Sequence, residues 1–347
     1  MRFQINPENF ESCPQYNDWL DQQYTEQGGS LNILGFQPRP SYVLHSLSID
    51  TYKATFADFL ADYQDNLKES LFNEYPTPIA HYYYRFENGY ENDLQRLHLL
   101  RDSWEAVVDV LHAIAVGECR FRQVSLADPI AFSHFLSDRV ADRLLSVERI
   151  INHASTQGIN LVVAEVVSVD VLGKMRELNR TRNAFSHSAA QSESQARNWI
   201  SECYEDVIDI LDDLQGLMDV SIVRYLSQVD GFTLRVELFR GHGFTRTIKT
   251  MPLTADQVRD SQRYFRQGQI LLSHKTCMFG LLPLIYYRED ASGHITKLCM
   301  FRKKQGEAPD RILEYEVVGE AARWSEDRRL FKPELDELRG LFGLGPD

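Results

Sequence analysis

The feature that most constrains this chain is a change of hydrophobic period near Val220. Before it, apolar residues recur every three or four positions over long stretches, as in helices that bury one face. After it, short runs rich in Val, Ile, Leu, Phe and Tyr are separated by Gly, Pro and Asp, which is the pattern of strands and turns. Neither a lone bundle nor a lone sheet satisfies both periods. The expected fold class is therefore α+β and multidomain, with a central all-α bundle followed by an α+β domain.

At 347 residues the chain exceeds the usual size of one domain. Three parts are expected: 1–75, a mixed region of unknown role with a helix at Asp50–Glu69; 76–222, the helical bundle; and 223–347, an α+β accessory domain. Four helices are legible in the bundle. The first spans Asp93–Gly117, with Leu94, Leu97, Trp104, Val107, Val108, Leu111 and Ile114 at helical spacing. The second runs from Asp128 to about His153. The third carries Leu172, Met175, Leu178 and Phe185, and the fourth starts at a capping box, Ser192 with Gln195. Beyond Val220, strands are expected at Phe232–Phe239, Ile270–Ser273, Met278–Tyr287, Thr296–Arg302 and Ile312–Val318. Helices are expected at Thr254–Gln267 and Lys332–Phe342.

The five cysteines, Cys13, Cys119, Cys203, Cys277 and Cys299, are too scattered for a disulfide framework or a zinc site and read as reduced, mostly buried thiols. No apolar run is long enough to cross a bilayer, and the start lacks the pattern of a signal peptide. The expectation is a cytoplasmic protein with no membrane partner. A formal net charge of −13 argues against indiscriminate nucleic-acid binding, which draws its affinity from Lys and Arg. A local exception is Lys174, Arg176, Arg180 and Arg182, four cations around the single acid Glu177. Lys174, Arg176 and Arg180 are the expected RNA contacts, although such a run also suits a solvated helix face.

Within the same helix, Arg182, Asn183 and His187 combine a phosphate-matching guanidinium with a side chain that exchanges a proton near neutrality. An Arg followed by a His also occurs at Arg39/His45, Arg235/His242 and Arg288/His294, but only the Arg182 copy lies on a helical apolar stripe. Five residues rotate by roughly 140° on an ideal helix. Arg182 and His187 therefore do not stack on one line, so the helix ends or bends near Ser186, or a second chain completes the site. Arg176, Arg180, Asn183 and His187, spaced four, three and four, share one face.

A helical bundle carrying Arg182-Asn183, three residues and then His187 resembles the HEPN superfamily, whose motif is Arg, a polar residue and a His four to six positions after the Arg. The resemblance covers roughly Thr77 to Arg224, and Tyr75-Pro-Thr-Pro-Ile-Ala-His-Tyr-Tyr-Tyr-Arg85 is similar to the start of many bacterial members. Gln269-Ile-Leu-Leu-Ser273 and Leu281-Leu-Pro-Leu-Ile-Tyr-Tyr287 look like the small accessory β-domain that follows such bundles in defence-associated proteins. The resemblance implies a metal-independent endoribonuclease with no cofactor, its composite site formed in a homodimer. Arg182 and His187 would be catalytic and Asn183 the polar helper. It further implies a role in anti-phage defence, abortive infection or a toxin system with an antitoxin or trigger partner. Ser188 and Ala189 replace the His-x-Tyr ending of members controlled by tyrosine modification. Two other readings remain: a non-catalytic HEPN module that binds nucleic acid, a nucleotide or a partner protein, and a helical scaffold whose motif merely ends a helix.

Other features read as structural. His242 between Gly241 and Gly243 suits a turn, and Asp206, Asp209, Asp212 and Asp213 suit a solvated acidic face. Tyr82-Tyr83-Tyr84 cannot share one helix face, so some belong to the core. No phosphate-binding glycine loop, Cys-x-x-Cys or His-Glu-x-x-His is present.

Overall fold

The computed structural model describes residues 6–33, 35–126, 132–186, 192–275, 277–290, 293, 295–306 and 312–345; for Ser133 and residues 182–186 it describes the backbone alone. The chain divides into two compact units, Met1–Ser70 and Leu71–Asp347. The fold is mixed α and β, with long helices and two antiparallel sheets. Among the described residues no helix is long and apolar enough to cross a membrane.

The first unit contains α1 (Pro14–Glu26), α2 (Pro40–Leu47) and most of α3 (Ile49–Asn73). Proline opens α1 and α2, where its missing N–H costs nothing. Cys13, Tyr16, Tyr52 and Phe59 form the core, and the Tyr52 hydroxyl donates to Asn17 Oδ1 at 2.5 Å. Asp21 ties α1 to α2 by accepting from the Ser41 amide at 2.7 Å and from Arg39 Nε at 2.5 Å. The expected helix at Asp50–Glu69 lies within α3, while α1 and α2 were not expected.

The second unit opens with α4 (Thr77–Asn88), α5 (Asp93–Arg122), α6 (Phe132–Phe135), α7 (Val140–Thr156), α8 (Val162–Val166), α9 (Val169–Ser186) and α10 (Glu193–Asp213). Asn92 caps α5 by accepting from the Gln95 amide at 2.8 Å. At 1.5 Å per residue α5 is about 45 Å long, and its C-terminal two thirds are buried on almost every side. It forms the axis of the unit. Helices α5, α7, α9 and α10 make a closed ring of neighbours, and α4 lies on α5. The expected capping box of α10 is present, with both Ser192 and Gln195 bonded. Of the expected second helix, the part inside residues 127–131 lies outside the described residues; the rest is not one helix but two, α6 and α7, with residues 136–139 non-helical between them.

The period change at Val220 is the first residue of β1 (Val220–Asp230), which is followed by β2 (Thr233–Phe239), β3 (Thr247–Pro252), α11 (Ala255–Ser261), β4 (Ile270–His274) and β5 (Cys277–Gly280). Then come β6 (Ile285–Glu289), β7 (Thr296–Gln305), β8 (Ile312–Val317), β9 (Arg323–Asp327) and α12 (Lys332–Leu341). The strands pair in the orders β3-β2-β1-β4-β5 and β6-β7-β8-β9. The single run expected at Met278–Tyr287 is two strands in different sheets, interrupted at Leu281–Leu284 around a cis Leu282–Pro283 bond. A proline has no N–H for the ladder, so pairing breaks there.

Helices and sheets on either side of residue 222 lie in the same compact unit. Strand β5 and α12 both pack on α5. A Cβ at Gly117 of α5 would sit 2.8 Å from the Gly280 carbonyl oxygen, so glycine is what lets α5 and β5 approach. Near the middle of α5, Asp109 is buried and receives both the Arg143 guanidinium of α7 and Arg302 Nη1 of β7, the latter at 2.8 Å. Arg302 sits where the β7–β8 register shifts between Phe301 and Lys303. Such an irregularity re-aims a side chain, here into the helical layer.

Candidate functional site

The α9 motif is only partly within view. Backbone positions 182 and 183 lie in the last turn of α9, and α9 packs against α7 and α10. The side chains of Arg182 and Asn183, and all of His187, lie outside the described residues. Leu172, Met175 and Leu178 are buried as their spacing predicts.

The three expected RNA contacts each hold a carboxylate. Lys174 Nζ lies 2.5 Å from Asp213, Arg176 Nη1 2.5 Å from Glu148, and Arg180 Nη1 2.5 Å from Glu177. These are exposed or half-exposed pairs, weak by nature and open to exchange. The acidic run of α10 differs from a wholly solvated face: Asp212 is buried and accepts from Gln215 at 2.6 Å, and Asp213 is the partner of Lys174. Gln215 follows the end of α10 and folds back over its last turn. One turn before Arg182 on α9, Asn179 is buried, and its Oδ1 has no hydrogen-bond partner among the described residues.

His242 is structural, as the flanking glycines suggest. Gly241 takes a positive φ of 77°, and the His242 ring stacks on Tyr84 at 3.9 Å while its amide donates to the Phe72 carbonyl at 2.8 Å. Tyr82 and Tyr83 are core residues. All five cysteines are buried and unpaired. Among the described residues no group of three or more His, Cys, Asp or Glu is placed to hold a metal ion.

A cleft that the sequence did not announce lies where α4 and α5 meet the β8–β9 turn. Its volume is about 350 Å³, and Tyr82 and Arg85 of α4, His98, Arg101 and Asp102 of α5, Glu316 of β8, Glu320 of the turn and Arg323 of β9 contribute its polar wall. The Tyr82 hydroxyl donates to Glu316 Oε1 at 3.0 Å, and Arg302 Nε donates to Glu316 Oε2 at 2.9 Å. Burial pushes the Glu316 carboxyl up, but Arg302 and Tyr82 outweigh it and hold the group below its ordinary value. Asp102 goes the other way: burial raises it more than its neighbour Arg101 lowers it. Burial and the nearby Glu316 charge hold the Tyr82 hydroxyl far above its ordinary value, so it remains a donor. Two carboxyls of one cleft are thus shifted in opposite directions, Glu316 downward by its cation and Asp102 upward by its burial.

Sequence signals for this site exist but look ordinary. Gln95, His98, Asp102, Glu105 and Asp109 follow one stripe of α5 at three- and four-residue steps, which by itself describes a solvated face. The arginine that ties Glu105 and Asp109 of this stripe to the second sheet, Arg302, comes from a strand far along the chain. No family model, no curated protein and no solved structure matches the chain.

Proposed function

We propose that this chain is a metal-independent endoribonuclease of HEPN type, acting as a homodimer in a defence or toxin system, with Arg182 and His187 catalytic and Asn183 positioning. The observation that carries the reading is the placement of the motif: Arg182 and Asn183 fall in the last turn of α9, a helix within the ring of α5, α7 and α10, and His187 follows directly in the chain. A motif at a helix end shared by two copies puts two histidines and two arginines around one phosphodiester. One His187 accepts the proton of a 2′-hydroxyl as its oxygen attacks the adjacent phosphorus. The bond to the 5′ oxygen breaks, that oxygen takes a proton from the second His187, and a 2′,3′-cyclic phosphate remains. Arg182 neutralises the charge gathered on the non-bridging oxygens.

A second reading, a non-catalytic HEPN module that binds a nucleotide, nucleic acid or a protein, is favoured by one observation. Lys174, Arg176 and Arg180 are already paired with acids in a chain of formal charge −13, which leaves little free positive charge for a long RNA.

The deciding experiment incubates wild type, Arg182→Ala and His187→Ala with total bacterial RNA in chelator and maps new ends. Cyclic phosphate ends made by wild type and missing with both variants support the nuclease. Equal cutting by wild type and His187→Ala overturns it. No cutting by any of the three, all folded, moves the binding module ahead.

A further inference from the structure

We propose that the cleft between α4, α5 and the β8–β9 turn is a binding site for a small phosphomonoester of mononucleotide size. Its carboxylates are already occupied. Glu316 is held by Tyr82 and Arg302, Glu320 by Lys297 at 3.0 Å and Arg288 at 3.7 Å, and Asp102 by Arg101 at 2.7 Å. The cations that satisfy Glu316 and Glu320 do not line the cleft. By contrast, the side chains of Arg85 and His98 line it and make no hydrogen bond or ion pair among the described residues. Arg323 gives one nitrogen to Glu314 at 2.6 Å and Arg101 shares its fork with Asp102, leaving further N–H groups on each.

A cavity whose acceptors are filled and whose donors are spare takes a ligand rich in acceptors and negative charge. Guanidinium forks from α4, α5 and β9 converge on it, and such planar donor sets match the tetrahedral oxygens of phosphate. Leu99 and Ala321 supply apolar wall beside them, suited to the uncharged body of the ligand. The volume of about 350 Å³ falls at the small end of small-molecule sites, roughly 300–1,000 Å³, which admits a mononucleotide and excludes a folded polymer. Glu316 also begins a chain of ion pairs through Arg302 and Asp109 to Arg143 of α7. The ligand therefore sits at one end of a charged link into the helical ring.

The site is independent of RNA cleavage, and AMP, which has no phosphodiester to cut, is the probe. Isothermal titration of the full chain compares AMP, inorganic phosphate and adenosine against wild type, Arg85→Ala, Arg85→Gln, His98→Ala and the control Arg259→Ala. The expected result is saturable one-to-one binding of AMP, weaker binding of phosphate and none of adenosine. Either Arg85 variant should weaken AMP by about tenfold or more, the scale of a lost charge-assisted hydrogen bond; His98→Ala should weaken it less, and Arg259→Ala should leave it unchanged. The proposal is overturned by the absence of saturable AMP binding, by adenosine binding as tightly as AMP, or by unaltered affinity in folded Arg85→Gln.

Discussion

Arg302 of β7 meets Asp109 of α5 at 2.8 Å across 193 positions of sequence, and Arg143 of α7 holds the other oxygen of the same carboxylate. Two arginines from different layers converge on one buried acid. Removing the acid leaves two desolvated guanidiniums facing each other, and breaking a buried pair in this way costs about 3–5 kcal/mol. Asp109→Ala should lower the unfolding free energy of the second unit by that order in urea titrations. A loss under about 1 kcal/mol, typical of exposed pairs, would show that solvent reaches the network.

Glu118 predicts a pH dependence. It is fully buried on α5, accepts from the Val162 and Val163 amides at 2.8 and 3.2 Å, and burial pushes its carboxyl up to about 7 from an ordinary 4.5. The folded chain therefore binds more protons than the unfolded chain between those values. Its contribution to stability is fully present below about 4.5 and is lost as pH rises toward 7 and beyond. Relative to Glu118→Gln, wild type should lose stability from pH 5 to pH 8; parallel unfolding curves across that window would contradict the assignment.

Two glycines on helices should respond in opposite directions to alanine. At Gly117 the added methyl meets the Gly280 carbonyl at 2.8 Å, a backbone atom that cannot rotate away, so Gly117→Ala should destabilise by about 1–3 kcal/mol. At Gly173 in α9 nothing lies within 4 Å, so Gly173→Ala should stabilise by about 0.5–1 kcal/mol through helix propensity. Thermal unfolding of both variants against wild type reads the contrast directly.

The Oδ1 of buried Asn179, which has no hydrogen-bond partner among the described residues, carries a penalty that folding alone does not require. Replacing it with leucine removes a group whose desolvation costs about 1–3 kcal/mol, so Asn179→Leu should raise Tm. If α9 bears the catalytic motif, the same change one turn from Arg182 should also reduce RNA cleavage. A variant of lower Tm would mean that the amide is satisfied in solution.

If RNA lies along α9, acids that now hold its cations compete with phosphate. Glu148→Gln frees Arg176, and Asp213→Asn frees Lys174. Each should tighten RNA binding and steepen the log affinity against log salt slope by roughly 0.7 per added phosphate contact. Filter binding at several salt concentrations, with slopes equal to that of wild type, would remove these residues from the RNA surface.

Long periodic elements were legible because their signal is local. The face of Leu172, Met175 and Leu178, the Ser192–Gln195 capping box and the change of period at Val220 are each decided within a turn or two of chain, and each has its expected place. Strand β1 was not among the expected strands, although the change of period falls at its start. Strands β3 and β9 were not legible. Their residues are mostly exposed, with patterns that lack a buried alternate row, and they exist through pairing with β2 and β8. The cleft was hidden for a related reason. Its stripe on α5 has the composition of a solvent face, and only the arrival of Glu316, Glu320 and Arg323 from the second sheet and its turn makes it a wall.

Sequence by itself determined where helices give way to strands, which faces are apolar, and that Arg182, Asn183 and His187 fall close together in the chain. These depend on backbone geometry and side-chain periodicity over a few residues. Tertiary structure alone decided that α5 is an axis touched on several sides, that Arg302 turns inward at an irregular register, and that Lys174, Arg176 and Arg180 already hold acids. Ion pairing and burial depend on distances between segments far apart in the chain, and those distances exist only once the helices and sheets have packed.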